Sequence, residues 1–98
     1  MNGGVAAAGV LGVDEDGFIA QMRIHAPRLL EERTTTVLID DGYGYCVALD
    51  AGGNIVNLSL DYETAHPGFE DETGAHALLS VKFLCPDHIT TIDDQLPD

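Results

Sequence analysis

The sequence predicts a mainly β fold, with α+β as the alternative: a small antiparallel sheet or open barrel of about five to six strands with at most one short helix. Three observations point there. Residues 34–62 read TTTVLIDDGYGYCVALDAGGNIVNLSLDY, three apolar runs divided by the turn signals Asp40-Asp41-Gly42 and Asp50-Ala51-Gly52-Gly53-Asn54. Tyr45, Val47 and Leu49 alternate with Cys46 and Ala48. Val56, Leu58, Leu60 and Tyr62 alternate with Asn57, Ser59 and Asp61, which is the period of a half-buried strand. Finally, Gly17 and Pro27 oppose a long helix in the first third of the chain.

Taken in order, residues 5–13 (VAAAGVLGV) suit a strand or a loose entry segment, weakened by Gly9 and Gly12. Asp14-Glu15-Asp16-Gly17 is a turn signal, and residues 18–25 alternate again, so a hairpin over residues 5–25 is expected. The alternative is a helix over residues 14–33 with Asp14 as its cap. Pro27 suits the start of a short helical turn over residues 27–33. The three-stranded meander follows. Residues 63–74 form an acidic loop around His66-Pro67-Gly68.

Residues 75–84 (AHALLSVKFL) are read as a strand with Ala77, Leu79, Val81 and Phe83 on one face. A helix there groups Ala75, Leu78 and Leu79 with Lys82, placing a charge in the apolar stripe. Cys85-Pro86 ends the element, residues 89–92 suit a last edge strand, and residues 93–98 form a mobile tail on one acidic domain spanning residues 1–98.

Composition narrows the functional classes. The chain carries 17 acids against 4 cations, a net charge of −13. Residues 31–98 hold 14 of those acids with only Arg33 and Lys82. Such a chain repels phosphate backbones and anionic membranes and attracts cationic partners. Direct nucleic-acid binding is therefore disfavoured. A high-salt setting is the other source of acidity, and the single lysine fits it. No stretch reaches the ~20 apolar residues of a membrane span. The N-terminal stretch lacks a basic leader region, so no secretory signal is expected and the cytoplasm is the default compartment.

The chemical motifs are sparse. Residues 12–19 resemble a calcium loop, but Gly12 stands where the first ligand belongs and Arg23 where the bidentate glutamate belongs, so they read as a β-turn. Cys85 and His88 have the spacing of a zinc ligand pair, half of a structural site, and are also the least implausible nucleophile and base. Spacing leaves open whether Cys46 and Cys85 pair. Gly42-Tyr43-Gly44 lacks the remainder of a dinucleotide fingerprint. No cofactor is expected.

The leading expectation is a small acidic interaction or inhibitor protein, of the toxin-immunity or nucleic-acid-mimic type. It would occlude a basic site on a nuclease, toxin or nucleic-acid-binding complex. Asp40, Asp41, Tyr43, Asp50, Asp61, Glu63, Glu70, Asp71 and Glu72 would meet the partner, carboxylates pairing with Lys and Arg and tyrosine anchoring the contact. The alternatives are a salt-adapted domain or oligomer subunit, possible as a homodimer, and a metal-binding or thiol-dependent protein using Cys85 and His88.

Overall fold

The computed structural model describes residues 12–97 and overturns the β expectation: those residues form six α-helices and no strand. They are α1 (Glu15–His25), α2 (Pro27–Glu32), α3 (Thr35–Asp50), α4 (Ile55–Ala65), α5 (Glu70–Leu84) and α6 (Ile89–Gln95), with a 3₁₀ turn at Pro86–His88. The expected segment at residues 5–13 lies almost wholly outside the described residues.

Local chemistry explains each helix start. The Asp14 carboxylate accepts from Gly17 N–H at 2.8 Å, capping α1 where a β-turn was expected. The alternative reading of residues 14–33 is right about the Asp14 cap and the helix that follows it, but not about a single helix. The chain breaks at Ala26, and Pro27 opens α2. Thr34 caps α3 through Val37 N–H at 3.2 Å. Asn54 caps α4, accepting from Val56 N–H at 2.9 Å and Asn57 N–H at 3.2 Å. Glu70, Asp71 and Glu72 place negative charge in the first turn of α5, where the helix dipole favours it.

Residues 50–54 do reverse the chain, but between two helices. Gly52 takes φ +90°, its N–H bonds Leu49 C=O at 3.0 Å, and Gly53 N–H reaches back to Ala48 C=O at 2.8 Å. This is a Schellman ending, which requires a left-handed residue after the helix.

Helix α5 is the central element, touching α1, α2, α3 and α4. Its buried stripe is Thr73, His76, Ala77, Ser80, Val81 and Leu84, so Lys82 points to solvent and the objection to a helix dissolves. Phe18, Ile19 and Met22 of α1 and Leu38, Tyr45 and Leu49 of α3 supply the facing core. Each polar member makes a backbone hydrogen bond. Thr73 Oγ1 donates to Phe69 C=O at 3.0 Å, Ser80 Oγ to His76 C=O at 2.6 Å, and His76 Nε2 to Leu38 C=O at 2.9 Å.

Gly42 sits where α3 meets α5. A Cβ there would fall 2.6 Å from Leu84 Cδ1 and 2.8 Å from Ser80 Oγ, whereas one on Gly44 would meet nothing within 4 Å. What reads as a turn glycine is a packing glycine. A disulfide joins Cys46 of α3 to Cys85 at the end of α5, with Cα atoms 5.9 Å apart. Residues 93–95, expected in a mobile tail, complete α6. Gln95 accepts from Ile55 N–H at 2.7 Å and donates to Gly53 C=O at 3.0 Å, tying α6 to the start of α4.

Two stability tests follow from this packing. Gly44→Ala should raise stability by about 1 kcal/mol through helix propensity, while Gly42→Ala should lower it by about 1 kcal/mol through overpacking. Urea melts of the two variants give the comparison. Replacing both cysteines by alanine should destabilise by about 4 kcal/mol, since the bond closes a long loop in the unfolded chain. A thiol titration of denatured, unreduced protein should find no free thiol.

Candidate functional site

A group of polar and titratable side chains lies where α3, α4 and α5 meet. Asp41 of α3 is its hub: Oδ2 accepts from Arg33 at 3.2 Å and from the Tyr62 hydroxyl at 2.8 Å. Tyr62 stacks on His66 with ring centroids 4.1 Å apart and lies 5.1 Å from His76. Tyr45 meets His76 edge-on at 5.6 Å, and Phe18 closes the far side at 5.8 Å. Three buried polar atoms here have no protein partner: His76 Nδ1, the Tyr45 hydroxyl and Arg33 Nε.

Burial moves three groups of this cluster away from their ordinary values. Burial pushes the Tyr45 hydroxyl up, helped by Tyr62 and Asp41. Burial also raises Tyr62, reinforced by its bond to Asp41 and the charge of that carboxylate, with Arg33 opposing. The His76 imidazole is driven below its ordinary value chiefly by burial. The bond to Leu38 and the Asp41 charge oppose this, and Arg33 and His66 add to it. A neutral His76 donating from Nε2 holds its acceptor lone pair on Nδ1. Ser80 is no nucleophile to this imidazole, because its hydroxyl donates to the backbone carbonyl of His76.

The residues expected to meet a partner are spread over α3, α4 and α5, and only Asp41 belongs to this cluster. Asp41 is half-buried in the cluster just described. Tyr43 is half-buried and donates to Glu15 at 2.6 Å, its hydroxyl pushed up to about 12 by burial first and then by that carboxylate. Asp50 ends α3 and accepts from His88. Glu72 is half-buried and paired with Arg28 at 3.1 Å. Asp40, Asp61, Glu70 and Asp71 are exposed on three helices, and Glu63 is half-buried on α4. The sheet imagined to display them does not exist. Exposed acids occur on every helix, among them Glu15, Glu31, Asp40, Asp61, Asp71 and Asp93.

Cys85 and His88 are drawn apart chemically. The Cys85 sulfur is bonded to Cys46, which removes it as a thiolate ligand or nucleophile while the bond stands, and His88 Nε2 faces Asp50. Among the described residues no cluster of three or more His, Cys, Asp or Glu side chains has metal-binding geometry. Among them, too, no helix is long and apolar enough to cross a membrane. No sequence signal placed Arg33 and His76 together in a buried cluster. The signal for His76 was its place one turn from Thr73 and Ser80, legible only once residues 70–84 are written as a helix.

No family model, curated protein or solved structure matches the chain.

Burial of His76 sets a pH test. The unfolded chain takes up a proton near the ordinary histidine value of 6.5, above the value in the native state. The stability contributed by this site is therefore complete above about pH 6.5 and is lost as pH falls below it. Between about pH 7.5 and about pH 5.5, the wild type should lose stability relative to His76→Phe. Urea melts at both values give the difference, and parallel slopes would contradict the assignment.

Proposed function

We propose that the protein is a non-catalytic interaction module that engages a basic protein partner, of the kind presented by a nuclease, a toxin or a nucleic-acid-binding complex. The observation that carries this reading is how the four cations are used. Arg28 is paired with Glu72 at 3.1 Å and Arg33 with Asp41 at 3.2 Å. Arg23 and Lys82 are left against the other fifteen acids, and that imbalance is the net charge of −13. The resulting field accelerates encounter with a cationic surface and repels nucleic acid and anionic lipid.

The spread of exposed acids over every helix, with one lysine in the chain, favours a second reading: acidity as solvation in a high-salt setting. The two readings part on the free protein. A binding module is folded in dilute buffer. A salt-adapted domain unfolds there from self-repulsion and refolds in molar salt.

The sequence expectation of a cytoplasmic setting is also a proposal, and the Cys46–Cys85 bond pulls against it. Cytosolic reductants keep most thiols reduced, so the bond supports an oxidising compartment.

Affinity capture from the native host in low salt should recover a basic protein. Its affinity should fall at least about tenfold between roughly 0.05 and 0.5 M salt. A partner whose affinity is unchanged over that range would contradict the electrostatic reading.

A further inference from the structure

Helices α4 and α5 pack together and leave an apolar groove of about 170 Å³ between them. Val56 and Leu60 of α4 face Gly74 and Leu78 of α5, and Leu96 closes the end beside the start of α4. Leu60 is 51% exposed and Leu78 42% exposed, so two large aliphatic side chains flank one concavity on a highly charged molecule. The other exposed aliphatics, Ile24, Val47 and Ile89, do not line it. A Cβ on Gly74 would meet nothing within 4 Å, so this glycine leaves the floor open without serving the fold.

Charge marks one end of the groove. Glu63 lies one turn beyond Ser59 on α4, and Glu70 and Asp71 lie one turn before Gly74 on α5. These carboxylates lie in the last turn of α4 and the first turn of α5. The neighbouring Arg28 is paired with Glu72 at 3.1 Å and stands over the Phe69 ring at 4.7 Å; Glu70 accepts from Gly68 N–H at 3.1 Å, and both Glu70 and Asp71 remain exposed. At the opposite end Lys82 follows one turn after Leu78.

We propose that this groove seats an amphipathic helix of the basic partner. Its aliphatic residues, spaced three and four apart, fill the space over Gly74 between Leu60 and Leu78, and a Lys or Arg one turn away meets Glu63, Glu70 and Asp71. The inference rests on the cationic-partner reading above. A trench between two packed helices matches the ridge of a third. A second copy of this chain is disfavoured, because it brings another −13 to the contact.

The probe is a labelled synthetic helix of about 18 residues with Leu at every third or fourth position and Lys elsewhere, beside a sister peptide with Glu replacing Lys. Fluorescence anisotropy on the wild-type chain should show binding of the Lys peptide and none of the Glu peptide. Gly74→Leu fills the groove while improving helix propensity, so its thermal stability should hold or rise while affinity for the Lys peptide falls at least about tenfold. Asp71→Lys should weaken binding about threefold and flatten its salt dependence. Equal binding of the Lys peptide by wild type and Gly74→Leu would overturn the groove and leave the cationic-partner reading intact. Equal binding of both peptides, lost in Gly74→Leu, would overturn the charge requirement and with it that reading. Failure of both peptides to bind overturns the proposal, as does a wild-type dimer in sedimentation that Gly74→Leu dissociates.

Discussion

The fold depends on how α5 buries a polar stripe. Thr73, His76 and Ser80 are fully buried in the middle of the domain. Buried hydroxyls and imidazoles destabilise strongly unless bonded. Here the two hydroxyls return to the carbonyls four residues back, and His76 reaches across to Leu38 of α3. Those bonds let an element of modest hydrophobicity serve as the core helix. They also fix its rotation, because turning α5 would break the His76–Leu38 bond and bring Lys82 inward. Gly42 and the Cys46–Cys85 bond then hold α3 close against it.

That stripe is also why the sequence misleads. Helical burial in residues 70–84 falls on Thr73, His76 and Ser80, which no apolar periodicity count registers. In α3 the buried positions Leu38, Gly42, Tyr45, Cys46 and Leu49 do follow helical spacing, but Val47 supplies a surplus apolar residue on the solvent side at 67% exposure. Together with Tyr45 and Leu49 it produces a false alternation. Leu60 does the same in α4. Gly42 and Gly44 then imitate a hairpin loop inside the helix. What was legible was punctuation: Asp14 as a cap, Pro27 as a break, residues 50–54 as a reversal and Cys85-Pro86 as a stop. Each reflects backbone chemistry that operates regardless of fold class. The candidate sites were less legible still, since the Arg33–Asp41–Tyr62 cluster and the α4–α5 groove exist only through tertiary packing.

The acidity takes a different meaning on this scaffold. A sheet would have gathered carboxylates on one face, whereas here each of the six helices carries exposed acids. Net charge then sets what approaches the molecule, and any preferred contact must come from shape and apolar exposure. Selectivity by charge alone is weak and salt-sensitive. An apolar trench with an acidic end can discriminate among cationic partners by register as well as by sign.

Native-state amide hydrogen exchange tests the central claim most directly. If α5 is the buried axis, amides around Ala77 and Val81 should exchange only when the whole domain opens, more slowly than those of α2 or α6. Early exchange in α5, or protection alternating residue by residue as in a half-solvated sheet, would contradict the account.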